Sequence, residues 1–347
     1  MLYVTTRNID TTHTAYRTLT DHHGPEGGLF VPFQMPKFDR NAISVLKENS
    51  FGQNVANILN LLFSARLDET DVDSCIGRNP TRLVPMSHRM ILAETWHNPD
   101  RDFNRLVRNL SSRLQGVNDT RNVPTDWADI AIRIAILFGV FGEMMRSNLI
   151  DLSHGIDVSV AAGDFSAPMA VWYAREMGLP IGNIICGCND NGGVWDLLHH
   201  GEMRTDGKPV DTDTPRGDVT VPYNLERLIF GTLGVYETER FLKSVASGRS
   251  YQPTDAFFED LRRGMYAGVV SNSRMNNIIR SVYHTSAYIL DPYSALAYCG
   301  LQDYRNRYSE NRSALVLCEQ SPIHFSEVVS QSIGITKEDL ADRLARK

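Results

Sequence analysis

Four short stretches of this 347-residue chain carry residues that could do chemistry. The first holds Glu94, His97, Pro99, Asp102 and Asn104. Carboxylates near a histidine could exchange protons with a substrate, although a lone histidine more often serves as a satisfied hydrogen-bonding group. The second is Gly163-Asp164-Phe165-Ser166, a turn that opens a helix. Free backbone N–H groups at such a start suit an anion, whereas Asp164 and Ser166 also read simply as helix caps. The third is Asn189-Asp190-Asn191-Gly192-Gly193, a polar turn behind a strand. The fourth is Glu319, at the end of an apolar run, followed by His324. Cys186 and Cys188 lie two apart on a predicted strand and so point the same way. They could form a metal or redox pair, but no second pair follows, and buried core thiols are the reading preferred. The sequence has no metal motif, P-loop or internal repeat.

The elements that must position these residues are legible in outline. Leu2 to Thr6 and Leu29 to Val31 read as two short strands, a structural hairpin with the turn Gly24-Pro25-Glu26-Gly27-Gly28 before the second. Val55, Ile58, Leu59, Leu62 and Phe63 recur at helical spacing, and Asp68 to Thr70 can start a further helix. Leu83 to Val84 and Met90 to Glu94 read as strands. Leu106 to Leu114 reads as a helix and 116 to 124 as a loop. Trp127, Ile130, Ala131, Ile134, Leu137, Phe138 and Phe141 form an apolar helical stripe behind an N-cap at Thr125 or Asp126. Ile156 to Ala161, a helix from Met169 to Met177, and Asn183 to Cys188 make a βαβ unit, which implies parallel strands. Residues 201 to 219 read as an exposed loop. A helix opens near Leu225, with Leu225, Leu228 and Ile229 on its buried side. Residues 254 to 280 read as two helices broken between Gly264 and Gly268. Asp291-Pro292 starts a helix, Ser313 to Cys318 is a strand, and Thr336 to Lys347 is a charged, solvated helix.

Composition sets the limits. The net charge of −6 gives no reason to expect nucleic acid as a partner. The odd count of 5 cysteines, without a regular framework, suits a reducing compartment. The N-terminus lacks the layout of a signal peptide, and no apolar run is long enough to span a bilayer. The expectation is a cytoplasmic protein with no membrane association.

Several of these stretches, in order, resemble threonine synthases, enzymes that use pyridoxal phosphate (PLP). Glu94, His97, Pro99 and Phe103 match the segment that carries the family's cofactor lysine, and Asn104 falls where that lysine should be. A carboxamide cannot form the Schiff base. Gly163 and Phe165 match the family's phosphate loop, with Asp164 and Ser166 in place of an asparagine and a glycine. Asn189 and Asn191 match a strand-end pair. Val221 to Phe230 is the longest near-match, and Leu290-Asp291-Pro292 matches another. Glu319 stands where the family has a threonine facing the cofactor's ring nitrogen, and His324 where it has a substrate-binding lysine. The family's ring-holding loop is not found, and the segment at Thr125 to Ile130 arrives early. The resemblance therefore implies that the small domain is deleted near 106 to 124.

What the resemblance implies is an α/β fold: a mostly parallel sheet with flanking helices, like the large domain of fold-type II PLP enzymes, with an N-terminal extension. Residues 1–80 would form the threonine synthase-like N-terminal region and 81–347 the large domain. The expected function is a degenerate threonine synthase that binds a ligand or a partner chain and holds no PLP. The alternative is an enzyme doing acid–base chemistry without PLP, lyase-like by family, with His97, Asn104, Asp164 and Glu319 as candidate catalytic residues. Residual threonine synthase activity is a third reading. Gly163, Asp164, Phe165, Ser166, Asn189, Asn191 and His324 would be the remnant of the cofactor site. Surface uncovered by the lost domain implies a homo-oligomer, most simply a dimer, unless residues 201 to 219 form a new cap.

Overall fold

The computed structural model describes residues 1–346 apart from 79, 87–88, 97–125, 151–153 and 310–311. His97, Asn104, the helix expected at Leu106 to Leu114 and the loop to 124 fall outside the described residues.

The N-terminal region begins with a three-stranded sheet. Strands β1 (Leu2–Thr5), β2 (Asn8–Thr14) and β3 (Phe30–Pro32) lie in the order β2-β1-β3, with both pairings antiparallel. The expected pairing of β1 with β3 is there, but β1 forms its hairpin with β2. That strand escapes a sequence reading because it is polar and mostly exposed, with only His13 buried. Helices α1 (Arg17–Thr20), α2 (Arg40–Ser44), α3 (Phe51–Phe63) and α4 (Glu69–Ile76) complete the region. Ser50 and Gln53 close α3 with a capping box, and Asp68 with Asp71 does the same for α4. Such caps satisfy N–H groups that have no partner within the helix, at about 1 kcal/mol each.

The main sheet has six strands: β4 (Arg82–Met86), β5 (Met90–Glu94), β6 (Ile156–Ala161), β7 (Ile181–Cys188), β8 (Met265–Val269) and β9 (Ala314–Cys318), in the order β4-β5-β9-β6-β7-β8. Only β4 runs antiparallel to its neighbour. Strand β8 replaces the helix break expected at Gly264 to Gly268. Gly264 precedes the strand, and Gly268 within it lies where the backbone of Gly300 comes close, an approach that a buried edge strand accepts at glycine.

Side chains alternate between two cores, as strand geometry requires. Leu315 and Leu317 of β9 face one core, and Ala314, Val316 and Cys318 face the other. Helices α5 (Asp126–Arg146), α6 (Ser166–Glu176), α7 (Gly193–His200) and the first turns of α8 (Leu225–Ala246) pack on the first. Helix α9 (Asp255–Arg262) leads into β8. Helices α10 (Asn272–Ser286), α11 (Pro292–Tyr308), α12 (Ser326–Ile333) and α13 (Lys337–Ala345) cover the second core. The expected α/β architecture with flanking helices and an N-terminal extension is what the chain adopts.

Helix α5 is buried well beyond a stripe, and even Arg133 in its middle is inaccessible. The Asp126 carboxylate is not a simple cap. It pairs with Arg227. Helix α11 lies so close on the sheet that a side chain at Gly187 would put its Cβ 2.2 Å from the Leu296 carbonyl oxygen. Only glycine allows that approach. Cys186 and Cys188 are buried on the same face, and burial pushes the Cys188 thiol up to about 12. No helix among the described residues is long and apolar enough to cross a membrane.

Candidate functional site

Strands β5, β9, β6, β7 and β8 run in one direction, so their carboxyl ends share one edge of the sheet. In open α/β sheets ligands bind at that edge. A cavity of about 40 Å³ lies there, with room for a few waters or one phosphate group. Its lining includes Gly163, Asp164, Ser166 and Glu319 from the sequence-predicted set, with Arg133, Arg216 and Tyr293 beside them.

The turn after β6 shapes the cavity floor. Gly163 has φ +49, and nothing lies within 4 Å of where a Cβ would sit. Phe165 also has positive φ, at 70°, which is costly for a bulky residue and is held by a fully buried ring. The Phe165 side chain thus anchors the turn and does not line the cavity. The Asp164 carboxylate folds back and accepts from the Ser166 N–H at 3.0 Å and from its hydroxyl at 2.6 Å. It therefore meets the cap reading. The backbone N–H groups of Gly163 and Asp164 bond to no described residue.

Two arginines bring positive charge. Burial opposes the charge on Arg133, but Asp129 and Glu319 more than offset it, so the guanidinium is held firmly protonated. Its Nε donates to Asp129 at 3.0 Å, and its Nη1 pairs with Glu319. Arg216 comes from the 201–219 loop, and its backbone N–H donates to the Tyr293 hydroxyl at 3.0 Å. Burial raises the Tyr293 phenol above its usual range, against the opposing pull of that N–H.

Asn189 and Asn191 act on the loop, not on the cavity. The Asn189 amide donates to Thr214 Oγ1 at 3.0 Å and Asp218 Oδ1 at 2.7 Å, and Asn191 donates to the Val210 carbonyl at 2.9 Å. They fasten the loop that delivers Arg216. His324 is exposed and is not part of the lining. Sequence reasoning missed Arg133, Arg216 and Tyr293. A lone arginine inside Ile130-Ala131-Ile132-Arg133-Ile134 was a readable signal, because a charge is rarely buried unless paired. Arg216 lies in a polar loop and gave none.

Residues 2–79 match the family described as threonine synthase N terminus. That match covers the N-terminal region, and the chain as a whole is similar to threonine synthases and threonine synthase-like proteins. Threonine synthase-like 1 of Homo sapiens is 29% identical over 177 residues, which is 50% of this chain and 24% of that protein. Threonine synthase of Pseudomonas aeruginosa is 27% identical over 230 residues, 64% of this chain and 45% of the other. The match thus spans less than half the length of either relative. The fold follows that of PLP-bound threonine synthase from Brucella melitensis with a TM-score of 0.85 and 19% identity, over 100% of this chain and 95% of that one. Yeast threonine synthase gives 0.81 at 17% identity, over 99% and 94%. The Brucella protein was solved with PLP, and this corrects the expectation of a chain without a cofactor. That expectation rested on Asn104 and on repulsion by Asp164. The lysine position bears on a covalent link and not on the turn at Gly163, where Asp164 is turned onto Ser166.

Proposed function

We propose that this threonine synthase-like protein binds PLP by its phosphate, as a ligand, and has lost threonine synthesis. The observation that carries the reading is the open turn at Gly163. It keeps two N–H groups that bond to no described residue just ahead of α6, in a cavity that Arg133 and Arg216 also line. Backbone N–H groups, a helix N-terminus and arginines are the donor set that holds phosphate.

Bound through an amine, PLP supplies an electron sink for chemistry at a substrate's α-carbon. The residues that would hold the phosphate are Gly163 and Asp164 through their backbone N–H groups, with Arg216 as the counter-charge. Arg133 serves differently, neutralising Glu319 and fixing that carboxylate at the cavity wall. The chain's lysines are at 37, 47, 208, 243, 337 and 347. None of them is in the described lining, and the segment matching the family's lysine reads Asn104. This supports loss of the synthase reaction. Acid–base chemistry without PLP has less support, because both cavity carboxylates are engaged, Asp164 by Ser166 and Glu319 by Arg133. The proposal includes a homodimer.

Fluorescence titration with PLP, pyridoxamine phosphate and pyridoxal tests the binding. Both phosphorylated forms should bind and pyridoxal should not. Equal binding of pyridoxal, or no binding of any form at millimolar concentration, would overturn it. Formation of threonine from phosphohomoserine by the purified protein would overturn the loss of synthesis.

A further inference from the structure

A second cavity lies at the opposite end of the main sheet, where β7 and β8 begin. Its volume is about 430 Å³, enough for a small organic molecule. It sits beside β8, which pairs only with β7 among the described strands, and between the carboxyl ends of α7 and α11.

Aromatic rings line it. Tyr266 of β8 stands 5.4 Å from Tyr304 and 5.9 Å from Tyr308, centroid to centroid, and Tyr304 stands 5.2 Å from Tyr308. His199 closes the other side, 5.1 Å from Tyr266. Its ring stacks on Trp195 at 5.0 Å, and its Nδ1 lies 3.0 Å from the Trp195 carbonyl oxygen. A ring nitrogen facing a carbonyl carries the proton, which leaves Nε2 as an acceptor. Burial, followed by Arg307, His200 and Arg262, holds His199 towards its neutral form, against the pull of that carbonyl.

The charge is one-sided. Arg262 and Arg307 are in the lining, and no carboxylate is among the described lining residues. Arg307 reaches over the Tyr308 ring at 5.8 Å. Arg262 shares its charge with Glu259 at 3.1 Å, outside the cavity. Tyr308 keeps 56% of its surface exposed, so part of its ring is open to a ligand.

We propose that this cavity is a second binding site, for a planar aromatic ring that carries an anionic group, with nucleoside monophosphates as the ligand class. Tyr308 offers a face for stacking, with Tyr304 packed behind it, Arg307 and Arg262 pair with the phosphate, and His199 Nε2 accepts from a ring N–H. The site is separate from the phosphate cup at Gly163 and does not depend on PLP.

Isothermal titration with GMP, guanosine and inorganic phosphate tests it. GMP should bind, and guanosine or phosphate alone should bind at least about tenfold more weakly, because each keeps only half of the contacts. Arg307→Ala and Tyr308→Ala change exposed residues and should leave the melting temperature near that of the parent. Each should weaken GMP binding about tenfold. The absence of GMP binding at millimolar concentration would overturn the proposal. So would affinity unchanged in both folded variants, or guanosine binding as tightly as GMP.

Discussion

Arg227 meets Asp126 in a two-pronged ion pair, Nη2 to Oδ2 at 2.8 Å and Nη1 to Oδ1 at 3.1 Å. The guanidinium is fully buried, and its Nε also donates to the Phe30 carbonyl at 3.1 Å. One side chain on α8 thus joins α5 to the N-terminal sheet. Its neighbour Glu226 turns back to Arg7, at 3.0 Å, and to Thr6. The longest near-match in the sequence is therefore a clasp between the two regions.

Asp126→Ala should leave a buried guanidinium unpaired and cost about 3–5 kcal/mol of stability. Chemical denaturation would measure it. The double change Asp126→Leu with Arg227→Met should recover most of the loss, because breaking one partner is costlier than replacing both. A single variant as stable as the parent would show that the clasp carries little.

Asp164→Asn should tighten PLP binding by roughly threefold to tenfold, because it removes a carboxylate beside the phosphate cup and keeps the acceptor for Ser166. Fluorescence titration of both proteins provides the comparison. An unchanged affinity would place the phosphate elsewhere.

Asn104→Lys alone should not restore threonine synthesis. It returns one amine, while Asp164 and Glu319 still differ from the synthase pattern. Threonine released from phosphohomoserine by this single variant would show that the other departures matter little.

Burial pushes the Asp291 carboxyl from an ordinary 3.8 up to about 6, despite the bonds it accepts from Ser294 and Tyr293 at the start of α11. Between about pH 4 and 6 the folded chain holds a proton there that the unfolded chain has released. This contribution to stability therefore falls as pH rises through that window, by about 3 kcal/mol in all, and is flat above it. Asp291→Asn cannot ionise and still caps the helix. Its melting temperature relative to the parent should climb between pH 4 and 7. A difference that stays constant with pH would mean that Asp291 ionises as an exposed aspartate does.

Much of the fold was legible because burial imprints a period. The apolar run of α5, the βαβ unit around Gly163 and the Asp291-Pro292 start each carried both a pattern and a stop signal. Strands β2 and β8 were missed for opposite reasons, one too polar to alternate and one carrying glycines that let backbones approach. The cup at Gly163 was visible as a turn before a helix. The cations around it were not, because Arg216 arrives from a loop whose fastening by Asn189 is a tertiary fact.

Helix α11 has a reach that neither cavity shows alone. Tyr293 in its first turn lines the phosphate cup, and Arg307 and Tyr308 in its last turn line the aromatic cavity. Seventeen residues make a rod of about 25 Å. The Leu296 backbone in its middle lies directly against Gly187 of β7, so the rod rests on the sheet between its two ends. Should a ligand at one end alter affinity at the other, linkage makes that influence equal in both directions.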